Sequence, residues 1–403
     1  MEQLNEISNR LINTCTTDFK RNTYHQINWS QRLIEIKGAR GVGKTTLMLQ
    51  KAKELRDNGA HVLYISLDSS FFFSHELLQL ADQFYKYGGE YLFIDEVHKY
   101  PKKDKRLDWS LEIKNIYDSY PQLQLIYSGS SSLQLYKGSG DLSRRKVVYH
   151  LKGLSFREFL SFENQLKVDT ISLEDLLKNH VSIANSIVQT HKVLPLFETY
   201  LKTGYYPFYK EGLESYYGRI TEIINVILET DIPSVSDITF ETALRLKTLL
   251  SLLTQTAPYT PNLKKLTGQL YLSDYRTVLK YLNYLQKAEL INILTTGGIG
   301  NQIMNKPDKI YLNNTNLSYA IAPEKTDKGT MRETFLFNQL IPEFEVFYPQ
   351  HGDFMVNGNT IEVGGPSKNM KQIYKLNKAY IAKDGIETGS ANTIPLWLFG
   401  FLS

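Results

Sequence analysis

Cysteine is nearly missing from this chain: Cys15 stands alone among 403 residues. One thiol closes no intrachain disulfide and builds no cysteine metal cluster, a pattern that fits a reducing, cytoplasmic setting. Long apolar runs are missing too. No stretch approaches the roughly 18 apolar residues of a membrane span, so no membrane partner is expected. The N-terminal MEQLNEISNRLINTC is polar and amphipathic and lacks the apolar core of a secretion signal. The closing run from Pro395 to Leu402 is apolar but short. It reads as a buried terminal strand or short helix, with a partner-docking tail as the alternative. There is no internal repeat and no low-complexity stretch. A large charge imbalance is also lacking: Lys plus Arg count 46 against 42 for Asp plus Glu, a net charge of +4. That balance permits nucleic-acid contact without arguing for it.

What is present can build cores. An apolar fraction of 42% excludes a disordered tail. On a prior of about 150 residues per domain, the length gives two or three domains. The most informative segment is Gly38-Ala39-Arg40-Gly41-Val42-Gly43-Lys44-Thr45-Thr46, which follows the apolar Leu33-Ile34-Glu35-Ile36. This is the phosphate-binding pattern G-x-x-x-x-G-K-[ST] in a strand–loop–helix setting. Gly38, Gly41 and Gly43 let backbone N–H groups turn inward toward oxygen atoms. The helix expected from Thr45 to Leu55 aims its positive end at the same anion. Lys44 is placed to reach the β- and γ-phosphates of ATP, and the Thr45 hydroxyl to ligate Mg²⁺.

Strands alternate with helices as far as about residue 150. His61 to Asp68, Tyr91 to Glu96, Leu123 to Ser128 and Val147 to Leu151 read as strands. This predicts an α/β fold with a doubly wound parallel sheet. One strand separates the loop strand from the YLFIDE strand, the spacing of nucleotide hydrolases of the AAA+ and RecA-like classes. From Leu154 to about Val235 the pattern is helical, broken at Gly204-Tyr205-Tyr206-Pro207. Helices are expected at Ala243 to Gln255, Asn262 to Gly268, and Ser273 to Lys287 with Ser273 as cap. Leu290 to Leu294 and Lys309 to Leu312 would be wing strands of a winged-helix domain. From about Thr326 one helix and several strands follow.

Asp95 and Glu96 end an apolar strand, where adjacent carboxylates are costly unless a cation shares the site. Asp95 is the candidate Mg²⁺ holder, and Glu96 the candidate group that polarises the attacking water. At the end of the Leu123 to Ser128 strand, Ser130, with Ser128 second, would contact the γ-phosphate or orient the water. A plain turn of small residues is the alternative. Arg144 and Arg145 would insert in trans at a neighbour's γ-phosphate, or form a solvated basic turn. His98 is a candidate relay from site to partner, or an ordinary loop residue.

Together GARGVGKTT, YLFIDEVHKYP, the SGSSS strand end, LSRR and LKGLSFREFL resemble a prokaryotic AAA+ ATPase family with a C-terminal restriction-endonuclease-like domain. YLKTGYYPFY, IEVGG and IPLWLFGFL extend the resemblance over nearly the whole chain. It implies a P-loop AAA+ core over 1–153, a helical lid over 154–235, a winged-helix-like domain over 236–325 and a degenerate nuclease-like domain over 326–403. It implies ATP with Mg²⁺ as cofactors, Asp95 and Glu96 as the catalytic pair, and Arg145 as the arginine acting in trans, although Arg144 replaces the glycine usual before it. Nucleases of the PD-(D/E)xK type hold a metal with an Asp and a Glu-x-Lys. Here Asp353 and Glu362 take the acid positions, Glu333 is a further candidate ligand, Gly364 occupies the lysine position, and Lys368 lies nearby. The lobe is therefore either a degenerate, structural or nucleic-acid-binding one, or a nuclease with a migrated lysine. The expected function is an ATP-hydrolysing switch on a macromolecular partner, the alternatives being a nucleic-acid-binding module with a regulatory ATP site or a metal-dependent nuclease. The partner, DNA or another protein, and a homo-oligomeric state stay open.

Overall fold

The computed structural model describes residues 2–101, 108–129, 142–233, 238–256, 258–297, 306–325 and 327–402. They form two compact units, Met1–Gly153 and Leu154–Ser403.

In the first unit, β1 (Leu33–Lys37), β2 (Val62–Ser66), β3 (Tyr91–Asp95), β4 (Gln124–Gly129) and β5 (Val147–His150) pair in the order β2-β3-β4-β1-β5. Every pairing is parallel. β4 therefore stands in space between the loop strand β1 and the acid-bearing β3. Continuous apolar runs such as Leu92-Phe93-Ile94 mark strands covered on both faces. β5, by contrast, alternates between half-buried and exposed positions, as an edge strand does. The helices are α1 (Glu2–Thr14), α2 (Asn22–Gln26), α3 (Lys44–Asp57), α4 (Leu77–Lys86) and α5 (Trp109–Ser119). Leu80, Phe84, Ile113 and Ile116 of α4 and α5 close over Leu63, Ile65, Leu92 and Leu125 of the sheet. Burying each such side chain contributes about 1.5–3 kcal/mol. Glu35 is an exception inside β1. It is 2% exposed and is matched by the Lys146 ammonium at 2.6 Å and the Tyr127 hydroxyl at 3.0 Å.

The second unit opens with the helix Phe156–Phe162, where Ser155 and Glu158 form a capping box. Helices Leu173–Val188, Val193–Thr203, Leu213–Val226 and Phe240–Thr256 follow. Helices Leu263–Gln269 and Tyr275–Lys287 then precede a hairpin of β6 (Ile291–Leu294) and β7 (Lys309–Leu312), paired antiparallel. The expected Ser273 cap is corrected. Asp274 caps the helix, its carboxylate accepting from the Arg276 N–H at 2.8 Å. Ser and Asp cap about equally well, so the backbone chooses: Asp274 takes the extended conformation of an N-cap. The helix Lys328–Leu340 and a mixed sheet in the order β12-β11-β10-β9-β8 complete the chain. These strands are β8 (Val346–Phe347), β9 (Phe354–Val356), β10 (Asn359–Gly364), β11 (Ala379–Lys383) and β12 (Thr393–Pro395).

The closing Leu396–Phe401 is a buried 3₁₀ turn, so the docking-tail alternative falls. Its Phe401 ring meets Phe156 edge-on at 6.0 Å. The GYYP break is also structural. Tyr205 and Tyr206 hydrogen-bond Asn313 and Asn314, and Tyr216 hydrogen-bonds Asn316 at 2.6 Å, in a fully buried polar clamp.

Candidate functional site

The loop from Gly38 to Gly43 leaves the C-terminal end of β1 and runs into α3. A Cβ at Gly38 would overlap the carbonyl oxygen of Leu151, so only glycine fits there. Gly41 and Gly43 take left-handed φ values of 85° and 99°. Val42, fully buried, pins the loop to the core. Arg21 donates to the Val42 carbonyl at 2.9 Å and to those of Lys152 and Gly153 at 2.8 and 2.9 Å. Sequence reading missed Arg21, because an arginine between two short helices carries no local motif. The Lys44 ammonium folds back onto the carbonyls of Gly38 and Ala39, both at 2.8 Å. Arg40 lies on the same loop, and Thr46 continues the first turn of α3 beside Thr45.

The acid end of β3 is tightly held. Asp95 is 2% exposed. Its Oδ2 accepts from the Thr45 hydroxyl at 2.6 Å and the Tyr64 hydroxyl at 2.7 Å. Its Oδ1 accepts from the Glu96 N–H at 3.0 Å and from the Ser128 hydroxyl. Burial, then the Asp95 charge, pushes the Tyr64 hydroxyl far above its usual range, so Tyr64 remains a donor. Tyr64 was not foreseen. Its signal was the register pairing β2 with β3, which sequence alone does not give. Glu96 leaves the strand with φ 52°, in the left-handed region. His98 Nε2 lies 3.2 Å from Glu96 Oε2, on a ring that is 2% exposed.

Ser130 lies outside the described residues; Ser128, the second choice, is fully buried and serves Asp95. Arg145 forms a two-pronged pair with Asp118, at 3.0 and 3.1 Å. It precedes β5, whose Val147 pairs with Ile34 near the start of β1. The loop lies past the other end of β1, more than about 10 Å away at 3.3 Å per residue. Arg145 thus stands at the opposite sheet edge from its own loop.

In the second unit the acids Glu333, Asp353 and Glu362 also come together, around a cleft of 310 Å³ lined in part by Lys309, His351, Asp353 and Glu362. Lysines meet all three of these candidate metal ligands. Lys309 from β7 bridges Glu333 at 3.1 Å and Asp353 at 3.2 Å, and Lys368 pairs with Glu362. Among the described residues no group of three His, Cys, Asp or Glu side chains is arranged to hold a metal ion. Burial, then the Asp353 charge, raises the Glu333 carboxyl above its usual value. Burial also raises Glu362, against the pull of Lys368. Gly364 has a plain reason: a Cβ there would overlap the Lys368 side chain, which lies across it. A Cβ at Gly365 would crowd the Arg332 guanidinium at 3.0 Å, which pairs with Asp384 at 2.7 Å.

Sheet order, loop and acid strand end define the class: an α/β domain of the P-loop nucleotide-binding kind. Residues 30–160 match the family model of the AAA domain. Over 401 aligned positions the chain is 25% identical to an uncharacterized protein of Methanocaldococcus jannaschii, covering 90% of this chain and 81% of that one. A Walker-type ATPase of Pyrococcus abyssi is 12% identical, covers 77% of this chain and 99% of its own, and gives a TM-score of 0.41. The Orc1 protein of Aeropyrum pernix in complex with DNA is 11% identical, with coverages of 79% and 92% and a TM-score of 0.31. DnaA of Aquifex aeolicus bound to AMPPCP is 16% identical, with coverages of 71% and 88% and a TM-score of 0.27. No helix among the described residues is long and apolar enough to cross a membrane.

Proposed function

We propose that the first unit binds ATP with Mg²⁺ and hydrolyses it, and that the nucleotide state acts as a switch on a macromolecular partner. One observation carries this reading: the Thr45 hydroxyl and the buried Asp95 carboxylate meet at 2.6 Å, joining the phosphate loop to the acid strand end. The residues fit both groups. Gly41 and Gly43 take the left-handed φ that lets loop amides turn toward an anion, and Asp95 receives neutral hydroxyls that orient its charge without cancelling it. Backbone amides from Gly38 to Thr46 would receive the phosphates, and Lys44 would exchange its two carbonyl partners for phosphate oxygens. Thr45 and Asp95 would hold the Mg²⁺, which when bound neutralises charge on the phosphate oxygens. Glu96 would orient the attacking water and accept its proton. Arg145, at the far sheet edge, would act only at a neighbouring copy, so full activity would require a homo-oligomer.

The remaining segments are read as a helical lid (154–235), a winged-helix-like domain (236–325) and a degenerate nuclease-like domain (326–403). The lysines seated on Glu333, Asp353 and Glu362 support degeneracy over cleavage. One observation favours DNA as the partner over protein: Tyr271 and Tyr275 are 89% and 49% exposed beside the exposed Arg276. That aromatic–basic face suits stacking and phosphate contact. The hydrolase reading is tested by ATP turnover and nucleotide binding of the purified chain, wild type against Lys44→Ala. Turnover and binding are expected to fall together; retention of both in the variant would refute the site.

A further inference from the structure

We propose that His98 is a positioning residue for Glu96: its buried ring holds one carboxylate oxygen and leaves the other to take the proton of the attacking water. The inference rests on the hydrolase reading above and assigns a group that the loop and the acid pair leave out.

The sequence places the ring two residues beyond the acid. Backbone geometry brings it back. Glu96 adopts a left-handed φ, a conformation that costs a non-glycine residue about 1 kcal/mol or more. A 3₁₀ turn over Val97–Lys99, closed by the Lys99 N–H on the Glu96 carbonyl at 2.8 Å, then folds His98 over Glu96. The outcome is the 3.2 Å contact from Nε2 to Oε2.

Burial decides which partner fixes the other. The His98 side chain is 2% exposed and the Glu96 side chain 21%. A packed ring has little rotamer freedom; a carboxylate on a two-carbon stem, open to solvent, has more. The ring therefore orients the acid.

Charge decides what kind of partner it is. Burial, with help from the Lys99, Arg40 and Lys44 charges, pushes His98 down to about 3, so the imidazole is neutral at pH 7. A neutral ring meets a carboxylate through its N–H, so Nε2 carries the proton and donates. A neutral donor fixes direction yet leaves the negative charge that a base needs.

The test uses the full chain with three readouts: ATP affinity by calorimetry, Mg-ATP turnover, and the imidazole ¹⁵N–¹H signals of His98. His98→Ala is expected to lower kcat by roughly 10- to 100-fold, the usual range for losing a partner that orients a site group. ATP affinity should stay within about two-fold, because Glu96 serves chemistry rather than binding. His98→Gln, which keeps an N–H donor, should recover most of the loss. In the nucleotide-free wild type the Nε2-bound proton should be visible, and it should shift in Glu96→Gln. Unchanged turnover in His98→Ala, equal losses of affinity and kcat, or a His98 signal indifferent to Glu96→Gln would overturn the proposal. A wild type with no turnover would sink the hydrolase reading, while the spectroscopic arm would still decide the contact.

Discussion

The two units each gather acids, at a strand end in the first and from a helix, a strand and the turn between strands in the second, and they treat them oppositely. In the first, Asp95 meets three hydroxyls and an amide, from Thr45, Tyr64, Ser128 and Glu96. In the second, Lys309 spans Glu333 and Asp353, and Lys368 sits on Glu362. Neutral donors orient a carboxylate and leave its charge to attract a cation. An ammonium cancels that charge in place. The same chemistry thus yields one acid held by neutral donors, as the proposed metal–nucleotide site requires, and a group of acids already met by the protein's own cations.

This contrast can be broken by substitution. The largest effect is expected in the first unit. Glu96→Gln should reduce ATP turnover by at least about 100-fold, the usual contribution of a general base, while ATP binding persists. Comparable turnover in the variant would mean that Glu96 is not the base. Next is Lys309→Met, which strands two partly buried carboxylates, so the cost lies toward the low end of the buried-pair range. Removing one partner of a buried pair costs about 3–5 kcal/mol, so the second unit's denaturant midpoint should drop well beyond that of a surface change. An unchanged midpoint would show that the bridge does not hold the cleft.

The units should also answer pH in opposite senses. Glu54 in the first unit is pulled against its own burial, by Lys20, Lys51 and Tyr24, down to about 2. Its contribution is complete above the unfolded value near 4.5 and is lost as pH falls from there toward 2. Glu333 and Glu362 are raised, so the folded second unit keeps protons that the unfolded chain releases. Their ionisation therefore destabilises that unit as pH rises from about 4.5 through the raised values. Denaturation followed separately in each unit between pH 2 and 7 checks this. Parallel slopes would contradict it. The smallest effect is expected at the surface: Arg276→Ala should weaken duplex DNA binding modestly and reduce the salt slope by about 1, without altering stability.

Much of this was legible in the sequence because it depends on local chemistry. The glycines of GARGVGKTT, the acids of YLFIDE and the helix expected from Ser273 to Lys287 each act within a few residues; that helix buries Val278, Leu282 and Leu285 but leaves Tyr275 exposed. What was hidden depends on register and long-range approach. Tyr64 reaches Asp95 because β2 aligns Ser66 with Asp95, and Arg21 reaches Val42 across a helix and a strand, 21 residues away in sequence. Lys309 meets Asp353 across 44 residues, an internal ammonium beside the candidate metal ligands that no motif announces. The Ser273 cap failed by one position, because two capping residues stand side by side and only the backbone chooses between them.

The central claim is that Asp95 and the phosphate loop form the metal–nucleotide site and that the second cleft does not. Calorimetric titration of the intact chain with Mg-ATP tests it most directly. The account predicts one nucleotide bound per chain, lost in Lys44→Ala and retained in Glu362→Gln. Absence of binding by a folded wild type, or binding kept in Lys44→Ala and lost in Glu362→Gln, would contradict it.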